Sequence, residues 1–418
     1  MPHWDVGPNT LNREHFRAIA HSLAWCVLVL LWSVCVLQAQ PSTEPRDAPI
    51  AGTPTWTYGD DGLEFRTRDD AFRAVFGFRN QLRFTTPFVD VPMDAEDIPE
   101  HRVDDFRLNR SRVRLQGHAF TPRLEYTMQV DLVEERMRDL NVTYTVAPWA
   151  RLRAGRWKVE MSRERVASSG AQQLVDRSIV DRWFTFGRQQ GVEIFGTLAA
   201  TRPWSGMYWV GAFRGVDERG GALLPTLLGR YQWHLAGREV PFEEGDPAMS
   251  RQLLLAIAVG ASRKETPFTQ FQGSGEGDQL PGLPPGDARY LLRQYTSDLS
   301  LKWRGLSVQA EYHRRRVHGL STGADRDLTG GYVQGGVLAS TIWARAPRSL
   351  EVAARVAIVD PHLAVDDDTQ REDIVGANWY FQGHRNKVSV DASRLQFASP
   401  TGSRTADLRI RAQWEVTF

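Results

Sequence analysis

Arginines at alternate positions of three segments are the residues of this sequence best suited to chemistry. The segments are AFRAVFGFRNQLRFT (residues 71–85), FRLNRSRVRLQGHAF (106–120) and LRIRAQWEVTF (408–418). A guanidinium group stays charged at any relevant pH and binds an oxyanion through two parallel hydrogen bonds. A row of such groups therefore predicts a track for phosphate or carboxylate solutes. The candidate residues are Arg73, Arg79, Arg83, Arg110, Arg112, Arg114, Arg409 and Arg411.

The first of these segments is predicted to be a β-strand with two different faces. Its even positions are apolar from Phe72 to Phe84, with Asn80 as the one exception, and its odd positions include the arginines. Successive side chains of a strand point to opposite faces. In a soluble sandwich the arginine face would meet water. In an outer-membrane barrel it would line a water-filled lumen while the apolar face meets lipid.

The overall composition excludes a bundle of membrane helices but is compatible with a barrel. The chain has 418 residues, with 51 Lys+Arg against 50 Asp+Glu, and its mean hydropathy is −0.39. Strands that alternate between polar and apolar residues average to such a value. The 14 tryptophans and 35 glycines also suit a barrel with aromatic girdles and many turns. Because the net charge is only +1, any electrostatic function must come from the placement of charges.

The N-terminus has the organisation of a secretory signal peptide. Arg13 and Arg17 precede the apolar run LAWCVLVLLWSVCVL, and the small residue Ala39 stands before a polar segment. A retained anchor helix is the alternative, although the run is short for a membrane span. Both cysteines lie in this run, so the exported protein would have no disulfide. We expect a signal peptide over residues 1–39, a disordered leader over 40–62 and a barrel over 63–418.

The two-residue period continues to the end of the chain. Examples are Leu253–Val259, Tyr295–Trp303 and Leu350–Ile358, and we count roughly sixteen such runs, each near the length of ~9–11 residues that a tilted strand needs to cross a bilayer. Short turns alternate with long polar loops, as in outer-membrane barrels. The last strand ends on Phe418, which resembles the signal read by the barrel-assembly machinery. A soluble sandwich of repeated strands remains the alternative, but its strands are usually shorter.

From Phe106 onward the order of motifs resembles the phosphate-selective porin O and P family. The segments that carry the resemblance are FRLNRSRVRLQG, LRAGRWKVEMSRERVASSG, VDRSIVDRWFTFGRQQGVEIFG, GRYQWHLAGREVPFEEGD, LEVAARVAIVD, IVGANWYF and LRIRAQWEVTF. The resemblance implies a homotrimeric all-β transmembrane barrel of about sixteen antiparallel strands in the outer membrane of a Gram-negative cell. It also implies a loop folded inward as a constriction, here residues 158–188. The constriction candidates in that loop are Lys158, Arg163, Arg165, Arg177 and Arg188.

The expected function is passive diffusion of small anionic solutes, with phosphate or polyphosphate as candidates. Closing a barrel pairs its first and last strands, which would bring the eight arginines onto one inner wall. Glu125, Asp131 and Asp139 would face them, so a transverse field is expected across the lumen. Alternatively, the arginines pair with lumen acids or with lipopolysaccharide near the rim. The protein would then be a general porin, or a structural or adhesin barrel with a closed lumen.

An enzyme is not expected. The sequence has no Gly-x-Ser-x-Gly elbow and no His-Glu-x-x-His pair. His118, His234 and His313 fall on predicted lumen faces, where isolated histidines usually serve as polar lining residues. We expect no cofactor, no metal and no nucleic acid. The expected partners are small anions such as phosphate, outer-membrane lipid and lipopolysaccharide, the assembly machinery and further copies of the chain.

Overall fold

The computed structural model describes most of the chain beyond the predicted leader. The described residues are 54–59, 62–88, 103–198, 205–214, 225–272, 275–278, 280, 283, 289–398 and 404–418. The predicted signal peptide, the retained-anchor alternative and residues 40–53 and 60–61 of the predicted leader lie outside these residues. Of the rest of the leader, residues 55–59 form a β-strand, so this part is not disordered as predicted. No helix in the described part is long and apolar enough to cross a membrane.

Two short strands precede the barrel, β1 (Thr55–Gly59) and β2 (Gly62–Arg66). The first half of the barrel contains β3 (Phe72–Thr86), β4 (Asp105–Ala119), β5 (Thr121–Asp131), β6 (Arg136–Ala147), β7 (Ala150–Lys158), β8 (Arg188–Leu198), β9 (Gly206–Phe213), β10 (Thr226–Ala236) and β11 (Leu254–Thr266). A small separate hairpin follows, β12 (Gln270–Gln272) and β13 (Gly275–Asp278). The second half contains β14 (Tyr290–Trp303), β15 (Leu306–Gly319), β16 (Asp325–Leu338), β17 (Leu350–Asp360), β18 (Gln370–Gln382), β19 (Asn386–Ala398) and β20 (Arg404–Thr417).

Sixteen of the described strands, β3–β11 and β14–β20, form one closed antiparallel barrel. Each pairs with the next along the chain, and β20 pairs with β3 from Ile410↔Thr86 to Thr417↔Arg79. The predicted fold class is therefore confirmed. The β1–β2 hairpin continues the sheet beside the first part of β3, beyond the point where β20 ends. There the ring of Phe418 stacks on Phe78, with centroids 5.7 Å apart.

The two-residue period of β3 has the physical consequence expected for a barrel wall. Phe72, Phe76 and Phe84 are exposed on the outer surface, while Gln81 and Arg83 are buried on the inner side. The same alternation of outward apolar residues and inward polar residues recurs along β14 to β20. The outer surface is thus apolar and the inner surface mainly polar, as in a transmembrane barrel.

The two ends of the barrel differ in their connections. Residues 120, 148–149, 304–305 and 383–385 are short turns at the end where β3 begins and β20 finishes, which we call the turn end. Residues 87–104, 159–187 and 267–289 are long connections at the opposite, loop end. Residues 237–253, which join β10 to β11, are an unusually long connection at the turn end, and we call them the floor segment.

Residues 159–187, which we call the inner loop, fold into the barrel. They contain two short helices, α1 (Arg163–Val166) and α2 (Ile179–Phe184); a third, α3 (Ala339–Ile342), lies at the turn end. The inner loop contacts the inner wall at glycines that leave room for it. A Cβ atom at Gly330 would lie 2.5 Å from Cε2 of Phe184, and one at Gly336 would overlap Nε2 of Gln173.

An apolar core fills part of the lumen near the loop end. Trp183, Phe184 and Phe186 of the inner loop are buried against inward apolar residues of β14 to β19, including Leu292 and Leu395. Strict alternation predicted polar lumen faces here. The difference arises because the inner loop covers this part of the wall, so the side chains facing inward are shielded from water.

Candidate functional site

The inner loop packs on one side of the barrel and leaves a cavity on the other, beside β4 to β8. This upper cavity has a volume of about 290 Å³ and is bounded by eight cationic side chains, one acid and one serine. Its lining residues are Arg110, Arg112, Glu134, Arg136, Arg138, Lys158, Arg165, Ser169, Arg177 and Arg188. Both the barrel wall and the inner loop contribute cations, so the cavity is basic on both sides.

A second cavity, the lower cavity, lies nearer the turn end and has a volume of about 210 Å³. Its charged lining residues are Arg79, Arg112, Arg114, Glu243, Arg385 and Glu415. Arg112 borders both cavities, so the upper and lower cavities meet at this residue. Both cavities lie between the wall of β3 to β8 and the inner loop, and in both of them the basic lining residues outnumber the acidic ones.

The junction of the two cavities, which we call the neck, is made by two arginines of the wall and two serines of the inner loop. Arg79 donates hydrogen bonds to Oγ of Ser168 at 2.7 Å and to Oγ of Ser169 at 3.0 Å. Arg112 donates to Oγ of Ser169 at 3.2 Å. These donors and hydroxyls separate the upper cavity from the lower cavity.

Buried acids hold the cavity arginines in place. Asp131 accepts from Nε of Arg112 at 2.7 Å and lies 3.5 Å from Arg138. Asp139 binds Arg188 through two contacts of 2.9 Å. Asp131 and Asp139 were predicted to form a negative side of the lumen, and that prediction is wrong because inward arginines of other strands pair with both. Glu125, the third predicted acid, pairs with Arg151 at 2.6 Å.

Arg136 and Arg138 were not identified from the sequence because a β-bulge changes the alternation of β6. In the pairing with β5, Asp139 lies opposite Gln129 but Met137 lies opposite Val130, which leaves Arg138 as the extra residue. Such a bulge redirects the side chains beyond it. Arg138 therefore faces inward beside Asp139, although strict alternation from Asp139 would turn it outward. Nothing in the sequence marks this position.

The eight arginines predicted to form one basic wall lie in three different environments. Arg79, Arg110, Arg112 and Arg114 line the cavities. Arg73 instead pairs with Glu64 at 2.7 Å. The other three, Arg83, Arg409 and Arg411, are buried beneath the inner loop.

The inner loop covers this part of the wall through Asp176. Its carboxylate contacts Arg83 at 2.8 Å and Arg411 at 3.6 Å, and Asp391 binds Arg411 from β19 at 2.8 and 2.9 Å. Burial alone would raise the pKa of Asp176, but Arg83 and the neighbouring arginines hold it well below its usual range. The uninterrupted basic wall predicted from alternation is therefore incorrect, because an acid of the inner loop neutralises part of it.

Four of the five predicted constriction residues lie at the upper cavity. Lys158 donates to the carbonyl of Ala167 at 2.8 Å, and Arg165 pairs with Asp181 at 2.9 Å. Arg177 and Arg188 complete this group. Arg163 does not face the cavity, because it is fully buried and bound to Asp298 of β14 at 3.3 Å; this placement corrects the prediction, and Arg163 anchors the loop.

Glu164 is the second anchor of the inner loop. It accepts hydrogen bonds from N and Oγ of Ser178, both at 2.7 Å, and lies 3.3 Å from Arg355 of β17. Burial raises the pKa of Glu164 to about 8, although Arg355 opposes the shift. The carboxyl group thus links two parts of the inner loop to the far wall of the barrel.

The floor segment enters the lumen from the turn end and meets the inner loop. The backbone N–H of Glu244 donates to the carbonyl of Ala171 at 2.9 Å, and Oε2 of Glu244 accepts from N of Gln173 at 2.8 Å. Nε2 of His384 lies 2.9 Å from the carbonyl of Glu244. This second inward segment was not predicted, and its unusual length for a turn is its only mark in the sequence.

The histidines on predicted lumen faces serve as polar partners in the wall. Nε2 of His118 lies 2.7 Å from the carbonyl of Asp70, and Nδ1 of His313 lies 2.9 Å from Oγ1 of Thr296. His234 is near Gln232. Within the part of the chain that the structure describes, no group of three His, Cys, Asp or Glu residues could hold a metal ion.

A closed sixteen-stranded antiparallel barrel with an apolar outer surface and a loop folded inward has the architecture of an outer-membrane porin barrel. The model of the family described as phosphate-selective porin O and P matches residues 81–233. This match confirms the family resemblance seen in the sequence, over the segment that contains the neck and most of the upper cavity.

Solved porin structures have the same fold. The chain is 10% identical to an anion-selective porin from Comamonas acidovorans, with a TM-score of 0.56 over 82% of this chain and 99% of that one. It is also 10% identical to Salmonella typhi OmpF in complex with daunomycin, with a TM-score of 0.52 over 85% and 100% of the two chains. At these identities the likeness concerns the fold alone. No curated protein matches the chain by sequence.

Proposed function

We propose that this protein is an outer-membrane porin that passes small anionic solutes by passive diffusion through the upper cavity, the neck and the lower cavity. The observation that carries the proposal is the charge of the upper cavity, where eight cations and one acid meet. The cations still outnumber the acids when the buried partners Asp131, Asp139 and Asp181 are included. Rings or rows of arginine and lysine bias a pore toward anions.

Phosphate fits this passage as a solute, and polyphosphate extends the same chemistry. At the neck, phosphate oxygens would replace the hydroxyls of Ser168 and Ser169 as acceptors from Arg79 and Arg112, whose guanidinium groups match two oxygens of one phosphate group. The description of the matched family as phosphate-selective supports this choice, as does the description of the Comamonas acidovorans porin as anion-selective. The hydrogen bonds across the neck favour a channel of low conductance over a general porin.

The test is the zero-current potential of the purified protein in a planar bilayer under a KCl gradient. A preference for chloride is expected, and added phosphate should reduce the current. Lys158→Gln and Arg177→Gln should each weaken the chloride preference because both remove a cation from the upper cavity. Arg151→Gln is the matched control, since Arg151 pairs with Glu125 and lines neither cavity.

Two results would contradict the proposal. Equal permeability to both ions, unchanged in the cavity variants, would indicate a general porin whose arginines only pair with acids. Complete absence of conductance in a folded protein would indicate a structural or adhesin barrel with a closed lumen.

We also propose that a signal peptide over residues 1–39 exports the protein and that a leader over 40–62 precedes the barrel. The assembly machinery would recognise Phe418 and insert the barrel in the outer membrane, where the protein would form a homotrimer. The trimer rests on the resemblance to the matched family alone.

A further inference from the structure

A cluster of arginines lies on the outer surface of the barrel near the loop end. Arg263 on β11 is directly opposite Arg293 on β14, and Arg293 is directly opposite Arg316 on β15. Arg314 lies two residues from Arg316 toward the turn end. All four side chains are exposed. We call these four residues the arginine row.

The protein balances only part of the charge of the arginine row. Asp327 on β16 binds Arg316 at 2.8 and 3.0 Å and Arg314 at 3.1 Å. Arg263 and Arg293 make no ion pair with any residue that the structure describes. Like charges that lie directly opposite each other on neighbouring strands destabilise a sheet. An anion from outside the protein would remove this repulsion.

An apolar groove of about 550 Å³ lies on the same strands, immediately toward the turn end. Gly331 lies opposite both Tyr312 and Ile358, and because it has no side chain it leaves a gap between them. Ala310 and Leu299 also line the groove. Tyr312 at its upper edge is two residues from Arg314, a separation of about 7 Å along a strand.

The position of the arginine row corresponds to the boundary of the membrane. On β14 the outward residues are largely apolar from Trp303 to Tyr295, and Arg293 is the next outward residue. The loop end faces the cell exterior, because barrels of the outer membrane have short turns at the periplasmic side and longer loops at the extracellular side. The arginine row is therefore level with the headgroups of the outer leaflet.

We infer that the arginine row and the groove form a binding site for one phosphorylated lipid of the outer leaflet, a glycolipid of the lipopolysaccharide type. Its phosphate groups bind Arg263, Arg293 and Arg316, whose guanidinium groups accommodate phosphate oxygens in pairs. One acyl chain lies in the groove beside Gly331. Charge and shape select the same ligand: the row needs an anion and the adjoining groove needs a hydrocarbon chain.

The test uses the full-length protein in detergent, titrated with bisphosphorylated lipid A, with binding measured by native mass spectrometry. The double variant Arg263→Gln/Arg293→Gln should bind about 30-fold more weakly, given the contribution of each arginine beside an anionic lipid. Ala310→Phe, which fills the groove, should also weaken binding. Arg394→Gln is the matched control, because Arg394 is exposed on β19 just beyond the apolar residues of its strand. Its binding should be unchanged.

Several outcomes would overturn the proposal. Unchanged binding by both the arginine and the groove variants would exclude the site. An equal loss in Arg394→Gln would indicate nonspecific attraction between the lipid and any outward arginine. If inorganic phosphate displaces the lipid at equal concentration, or if Ala310→Phe leaves binding intact, the groove holds no acyl chain. A change of oligomeric state in Ala310→Phe with intact lipid binding would identify the groove as a contact between copies. The variants face away from the lumen, so these outcomes are independent of the channel test.

Discussion

Replacing Gly330 with alanine should loosen the inner loop from the barrel wall. The added Cβ would lie 2.5 Å from Cε2 of Phe184, which is closer than two carbon atoms can approach. Phe184 cannot simply turn away, because its ring is fully buried and stacks on His313 with centroids 5.4 Å apart. The strain must therefore be relieved by movement of the inner loop, which carries the phenylalanine.

Overpacking a dense core by one methyl group costs about 1–3 kcal/mol. If this cost destabilises the packed position of the inner loop, the population of molecules in which the loop has moved away from the wall rises about 5-fold to about 150-fold. We call this second state the unseated state. The matched control is Gly335→Ala on the same strand. A Cβ there faces outward and would meet only the carbonyl of Ser307, at the ordinary distance of 3.5 Å. Because both variants replace glycine with alanine, they reduce the conformational entropy of the unfolded chain by the same amount.

The unseated state can be measured by cysteine labelling. Val180 in the inner loop is fully buried, so a Val180→Cys side chain reacts with a small water-soluble thiol reagent only when the loop moves. In a background of Cys26→Ser and Cys35→Ser, the labelling rate should rise by the same factor in Gly330→Ala and not in Gly335→Ala. Equal rates in the two variants would refute the reasoning that the loop is held by this contact.

Two further predictions concern the anchors of the inner loop. Because burial raises the pKa of Glu164 from 4.5 to about 8, the folded protein binds a proton that the unfolded chain releases, so stability should fall as the pH rises between these values. Glu164→Gln should remove that slope in thermal unfolding, and an unchanged slope would contradict the assignment. Asp176→Asn should destabilise the protein at neutral pH by about 3–5 kcal/mol, because Arg83 loses its buried partner. Since the pKa of Asp176 is depressed, the difference from the wild type should shrink as the pH falls below about 4; identical unfolding at pH 7 would contradict this role.

The barrel itself could be predicted from the sequence because its signal is local. The alternation of β3, with Phe72 and Phe84 outward and Arg83 inward, needs only the two-residue period of a strand and an apolar surrounding medium. The count of about sixteen strands and the inward loop after β7 followed from the same period together with the family resemblance.

The charge distribution of the passage could be predicted only in part. Alternation correctly turned Arg110 and Arg112 inward, but it contained no information about which inward arginines a loop would cover. Asp176 lies far from Arg83 and Arg411 in sequence, and the contact among them exists only once the inner loop is in place. The bulge at Arg138 was likewise invisible, because it depends on the register between β5 and β6.

The sequence by itself determined the closed barrel, its apolar outer surface and an inner surface rich in arginine, because each follows from residues two positions apart. Only the tertiary structure decided which arginines line a passage and which are neutralised. The outcome depends on the inner loop and the floor segment. Arg163 and Asp176 of the inner loop bind residues of distant strands, and Glu244 of the floor segment binds the inner loop. Long-range contacts of this kind leave no period in a sequence, since they are fixed by the packing of whole elements rather than by the direction of neighbouring side chains.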